Sequence, residues 1–274
     1  MTSRELHRYS LTVQYDGSPF HGWQFQPAQR TVQGELEAVL ERITGERRAV
    51  VGSGRTDRGV HALGQVASVD VPAKWSAVEL RRSMNALLPT EVWLKEVRRV
   101  PADFHPRFHP VSRTYEYRIG VVQDAGSPFH RRWCWDASDN PPELALLSAC
   151  AERIPGDRCF GSFAKAGQPE RGTRSVVQAA SWAPWGEIGY RFEIRANRYL
   201  HRMVRYLVGT MVDVARGRRS IAEMDTLLHD PDAPIDTSPP APPEGLFLAR
   251  VEYPPDRWGE HPDHDPSTSH TPSR

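Results

Sequence analysis

The chain has 274 residues, enough to bury a substantial core in one large or two modest domains. Its hydrophobic share of 39% and charged share of 25% are those of a soluble globular protein, and no apolar run reaches the length of a membrane span. Net charge is only +1, so the molecule is not a polycation, and the three cysteines, odd in number and without C-x-x-C spacing, argue against a disulfide framework or a structural zinc.

Met1 to Arg8 is polar and lacks the apolar stretch of a secretion signal, so a cytoplasmic location is expected. Alternation at Tyr9, Leu11, Val13 and Tyr15, closed by Asp16-Gly17, predicts a strand and turn. Thr31 is placed to cap a helix with the stripe Val32, Leu36, Val39, Leu40 and Ile43, and Gly45 is its stop. A short strand near Arg48 to Gly52 leads into the glycine loop Gly54-Arg55-Thr56-Asp57-Arg58-Gly59-Val60-His61, and a further strand runs from about Gly64 to Val71. Ser76 and Glu79 form a capping box before Leu80, Met84, Leu87 and Leu88, and a strand follows from about Val92 to Val100.

The second half repeats this β-α-β-β-α-β order. Tyr115, Tyr117, Ile119 and Val121 alternate, and Pro141-Pro142 opens a helix to about Ile154. Strands are expected near Val176 to Trp182 and Tyr190 to Ala196, then a strong helix over about Leu200 to Arg216, with its basic face beginning near Asn197. Ser220 and Glu223 cap a short helix, and Leu246 to Tyr253 is the closing strand. The fold class is therefore α+β, with two related ferredoxin-like domains whose antiparallel sheets meet at a central cleft. The expected division is 1–105, 106–253 and a disordered polar tail over 254–274. Pro231 to Pro243 reads as an irregular connection, and the tail cluster His261, Asp263, His264 and Asp265 as solvated rather than metal-binding.

Three constellations carry candidate chemistry. In the glycine loop, Asp57 lies between Arg55 and Arg58, which suits an ionised nucleophile beside a phosphate-binding surface. Read alone, the pattern also fits a tight turn whose Asp caps a backbone N–H. In the basic helix, Arg198, Arg202, Arg205 and Gly209 share one face at helical spacing, with His201 at its edge and Leu200, Val204, Leu207 and Met211 opposite. No acidic residue sits on that ridge at i±4, which points to an external anion rather than a solvated face. All but three of the 35 basic residues are arginine, the side chain suited to bidentate phosphate and base contacts, although codon composition favours the same excess. Third, Tyr115 in Arg113-Thr114-Tyr115-Glu116-Tyr117 either stacks on a base or packs within a sheet. No P-loop lysine and no paired acidic cluster for a two-metal site is present.

Together these segments resemble the tRNA pseudouridine synthase A family. The resemblance rests on Gly54-Arg55-Thr56-Asp57 with Gly59-Val60-His61 and Gly64-Gln65-Val66, on Tyr15-Asp16-Gly17 and Gly22-Trp23-Gln24, and on Asp103-Phe104-His105 with Arg107-Phe108. It continues through Arg113, Tyr115 and Tyr117, Arg202-Met203-Val204-Arg205 with Val208-Gly209, and Ala241-Pro242-Pro243 with Gly245-Leu246, from about Tyr9 to Tyr253. Arg58 stands where that family frequently has a small residue. The resemblance implies the pseudouridine synthase fold, a cofactor-free and metal-free homodimer, and isomerisation of uridine in the tRNA anticodon stem-loop at positions 38, 39 and 40. It implies Asp57 as nucleophile, Tyr115 on the target base and Arg205 as partner of the aspartate, with Arg55, Arg58, His61, Arg198 and Arg202 on the RNA. A non-catalytic RNA-binding module and a phosphoryl-transfer enzyme are the competing readings. The first is disfavoured by an anion in an RNA cleft and the second by the missing lysine or metal site.

Overall fold

Alternation at Tyr9, Leu11, Val13 and Tyr15 forms β1 (Leu6–Tyr15), and all four side chains are buried. The computed structural model describes residues 5–164, 172–230 and 234–258. Helix α1 (Val32–Thr44) begins where Thr31 Oγ1 accepts from the Gly34 N–H and ends at Gly45, whose φ of +79° is the left-handed conformation of a helix stop. It buries Val32, Leu36, Val39 and Leu40. The two-residue β2 (Val51–Gly52) precedes the glycine loop, and β3 (His61–Pro72) follows it. The Ser76–Glu79 capping box opens α2 (Ala77–Asn85), and β4 (Val92–Arg99) completes the first half. Burying a leucine contributes roughly 1.5–3 kcal/mol, and Leu11, Leu36, Leu40 and Leu80 are all fully enclosed.

The second half runs β5 (Ser112–Gly120), β6 (Trp135–Asp136), α3 (Leu144–Ala151), β7 (Gly156–Cys159), β8 (Arg174–Trp185) and β9 (Gly189–Ala196). Then come α4 (Met203–Ala215), α5 (Ile221–His229, opened by the Ser220–Glu223 capping box) and β10 (Leu246–Glu252). Residues 234–242 are irregular. Strands β6 and β7 were not marked by the sequence pattern, being short and half-exposed.

The strands form one ten-stranded, mostly antiparallel sheet in the order β4-β1-β3-β10-β5-β9-β8-β7, with β2 on β3 and β6 on β5. The expectation of two separate sheets is corrected by β10. It pairs antiparallel with β5 and also parallel with β3, through Phe247 with His61 and Leu248 with Ala62. Leu248 thus has Ala62 on one side and Tyr115 on the other. One hydrophobic core runs through both halves.

Two boundaries differ from the sequence pattern. Helix α4 starts at Met203, because Arg202 adopts a left-handed φ of +64° and cannot continue a helix upstream. The Asn197 side chain is drawn instead to β8, where its Oδ1 accepts from the Val176 N–H at 3.0 Å. At the far end, Pro255–Trp258 forms a helical turn, α6, with Trp258 stacked on Tyr253 at 4.7 Å and 6°. That part of the expected tail packs on the body, and the His261–Asp265 cluster lies outside the described residues. The three cysteines are free, and burial holds the Cys134 and Cys150 thiols up at about 11. Among the described residues no helix is long and apolar enough to cross a membrane.

Candidate active site

The loop between β2 and β3 is fastened on every side. Ser53 N–H donates to Val66 O, Trp23 N–H donates to Thr56 O, and Tyr15 Oη shares a 2.8 Å hydrogen bond with Thr56 Oγ1. The Gln65 amide donates to Gly54 O at 2.7 Å and accepts from Gly54 N–H at 3.3 Å. Two glycines are required for geometry. A Cβ on Gly52 would lie 2.5 Å from the Trp23 indole nitrogen, and Gly59 takes φ +79° inside the turn that the Val60 N–H to Asp57 O hydrogen bond closes.

This loop delivers Asp57 to the residues just before and within the first turn of α4. His201 Nε2 lies 3.1 Å from Asp57 Oδ1, and Arg202 Nε and Arg205 Nη1 each lie 3.5 Å from Oδ2. The arginine charge that looked uncompensated in the sequence therefore has an internal anion, contributed from the other half of the chain. Arg205 is the most enclosed of the three, with 12% of its side chain exposed. Burial pushes its guanidinium down, and the nearby Asp57 charge counteracts this. Arg205 Nε also donates to Ala241 O at 2.6 Å, which fixes the fork.

Tyr115, on β5, is 8% exposed and meets Tyr199 edge-on, centroids 4.8 Å apart at 75°. Burial raises its hydroxyl to about 12, with Arg113 opposing and Asp57 adding to the rise. Arg113 is a clamp between the halves. Its Nη2 donates to Ser53 O and to Arg107 O, both at 3.0 Å, and its Nε donates to Ser53 Oγ at 3.2 Å.

Asp57, Tyr115, Arg205, Arg55, Arg198 and Arg202 all line one cavity of about 1100 Å³. Arg198 reaches it as part of the irregular segment before α4, not from a helical ridge, and its Nη2 donates to Gly172 O. Arg58 is exposed on the loop but outside the lining. His61 does not belong with the group. It is 1% exposed, stacked on Phe247 at 4.7 Å and beside Trp133 at 5.0 Å. Its Nδ1 accepts from the Gly17 N–H at 3.0 Å and lies 3.3 Å from Asp16 Oδ1. A ring so enclosed pins the turn after β1 to the end of the glycine loop, and His61 is not among the residues lining the cavity. His201 is the residue the sequence pattern left without a role, since helical spacing set it at the edge of the ridge and not against Asp57. Among the described residues no group of three or more His, Cys, Asp or Glu side chains is arranged to hold a metal ion.

The site is thus a carboxylate held against two arginines and a histidine, opposite a buried tyrosine, in a cavity lined by further arginines. The family model described as tRNA pseudouridine synthase matches residues 11–109 and 150–254. A tRNA pseudouridine synthase A of Chlorobium luteolum is 39% identical over 248 residues, covering 90% of this chain and 95% of the relative. The proteins of the same name from Maridesulfovibrio salexigens and Geobacillus kaustophilus are each 36% identical, covering 90% of this chain and 91% and 94% of theirs. The chain belongs to the tRNA pseudouridine synthase family, a family of isomerases.

Proposed function

We propose that the protein isomerises uridine to pseudouridine in the tRNA anticodon stem-loop, at positions 38, 39 and 40, with Asp57 as the nucleophile. The observation that carries this reading is the meeting of Asp57 with His201, Arg202 and Arg205 in the cavity that Tyr115 lines. The reaction breaks the C1′–N1 bond, turns the uracil and joins C5 to C1′, with the C5 proton released and N1 taking one up. The uridine leaves the stack at a cost of a few kcal/mol, which arginine contacts to phosphate offset. Arg205 holds the Asp57 carboxylate in place. Tyr115 lies against the uracil and keeps the detached base from escaping. A hydroxyl held up at about 12 favours this stacking role over removal of the C5 proton. Arg55, Arg198 and Arg202 contact the RNA backbone, and Arg58 extends that surface beyond the cavity.

We read the two halves as related ferredoxin-like domains. In support, β4-β1-β3-β2 in the first half and β10-β5-β9-β8 in the second place corresponding strands in the same spatial order. The protein is further proposed to act in the cytoplasm as a homodimer without a cofactor. The test is Asp57→Ala with carbodiimide labelling of tRNA. The variant is expected to give no pseudouridine while binding tRNA within about tenfold of wild type, roughly 1.4 kcal/mol. Full turnover by the variant would remove Asp57 from the mechanism.

A further inference from the structure

Between β4 and β5 the chain sets Phe108 on the wall of the active-site cavity with 57% of its surface exposed. A single exposed aromatic residue is ordinary. This one is held in place by its surroundings. Its ring lies against His105, centroids 4.2 Å apart at 33°. His105 is itself fixed, because its Nδ1 accepts from the Arg107 N–H at 3.1 Å and its N–H donates to His109 Nδ1 at 3.2 Å. Tyr253 Oη donates to Pro106 O at 2.7 Å, and the preceding Phe104 is fully buried against Tyr253. Burial, with His109 nearby, pushes the His105 imidazole down, so the backing ring is uncharged at neutral pH.

The position is tied to the catalytic loop. One nitrogen of Arg113 bonds both Arg107 O and Ser53 O, so the residue before Phe108 and the start of the Asp57 loop share a guanidinium. Extruding a nucleotide from a stacked strand leaves the flanking base with a bare face. A rigid aromatic ring beside the extrusion site replaces that lost stack, and it accepts any base because every base has a π-face.

We propose that Phe108, backed by His105, is a stacking platform for a second, unpaired nucleobase flanking the uridine that reaches Asp57. This rests on the reading of the cavity as the uridine site. The platform recognises an aromatic base by its face, without hydrogen-bond readout, and so tolerates sequence variation beside the target.

The test compares wild type, Phe108→Ala and Phe108→Trp on anticodon stem-loop RNA. The RNA is intact or abasic at the nucleotide 5′ or 3′ of the target uridine, and tritium release from C5 is followed alongside affinity. Phe108→Ala is expected to bind intact RNA about tenfold more weakly, within the range of base–aromatic stacking, and Phe108→Trp to bind within about twofold of wild type. On RNA abasic at the contacted side, wild type and Phe108→Ala should bind alike. An equal loss on intact RNA and on both abasic RNAs overturns the platform, as does an alanine variant that binds intact RNA like wild type. If Phe108→Ala does not fold, 2-aminopurine at the flanking position decides the matter. Its fluorescence should be quenched by wild type and Phe108→Trp, and absence of quenching at both flanks overturns the proposal. If wild type releases no tritium, the failure is of the uridine reading and not of the platform alone.

Discussion

His201 Nε2 stands 3.1 Å from Asp57 Oδ1, joining two residues 144 positions apart in the chain. The contact occupies one carboxylate oxygen, while Arg202 and Arg205 face the other. The carboxylate is therefore oriented from both sides by groups in the opposite half of the protein.

Removing the imidazole frees that oxygen to rotate. His201→Ala is expected to lower kcat by about ten- to a hundredfold, from the usual 1.5–3 kcal/mol of a hydrogen bond to a charged group. His201→Gln keeps an N–H donor and should recover most of the loss. Single-turnover pseudouridine formation measures both, and equal damage by the two variants would contradict the orienting role.

Arg205 does two things with one planar fork, facing Asp57 and donating to Ala241 O. Lysine cannot do both. Arg205→Lys and Arg205→Ala are each expected to cost two or more orders of magnitude in turnover, about 2.7 kcal/mol or more of activation free energy. Thermal unfolding should show a drop of only a few degrees, which separates loss of catalysis from loss of fold.

For Tyr115, burial and the Asp57 charge keep the hydroxyl protonated across the neutral range. If the ring and not the hydroxyl does the work, Tyr115→Phe retains activity within about tenfold and Tyr115→Ala does not. Loss of turnover by the phenylalanine variant, with tRNA affinity unchanged, would return the hydroxyl to the mechanism.

Asp16 gives a pH signature of stability. Burial works to raise its carboxyl, but the close His61 ring and the hydrogen bonds from Ser18 outweigh that and bring it down to about 2. A carboxyl depressed on folding contributes stability that is present above its unfolded value near 3.9 and lost as the pH falls through about 2. Asp16→Asn should thus be less stable than wild type by on the order of 2 kcal/mol above pH 5, with the gap closing toward pH 2. Urea midpoints across that range provide the check.

Salt separates the RNA contacts from the internal ones. Arg55→Ala should reduce the slope of log affinity against log salt by about 0.7, the value for one phosphate contact to a single strand. His61→Ala should leave that slope unchanged and lower the unfolding midpoint instead. A reduced slope for the histidine variant would place His61 on the RNA.

Local signals in the chain were readable where one residue type has one physical use. Thr31, Ser76 and Ser220 cap the helices that follow them, and Gly45 stops the first. The Asp57 loop stood out because glycines and arginines around one carboxylate have few bland uses. What the pattern missed depended on partners far along the chain. Arg202 breaks the expected helix because the strand ahead of it is held to β8 through Asn197. His61 looks like part of an exposed loop until Phe247 and Trp133 cover it from elsewhere. The union of the strands into one sheet depended on β10, whose own sequence reads as an ordinary closing strand.

That strand sets the timing of assembly. Leu248 lies between Ala62 and Tyr115, so the walls of the cavity on either side are brought into register by residues 246–252. A ribosome making this protein has already added Asp57 and Tyr115 well before it reaches the strand that joins them. Catalytic competence is then a property of the finished chain. A nascent or truncated product ending before Leu246 holds Asp57, Arg55, Arg198, Arg202 and Arg205, yet lacks the strand that joins the two halves.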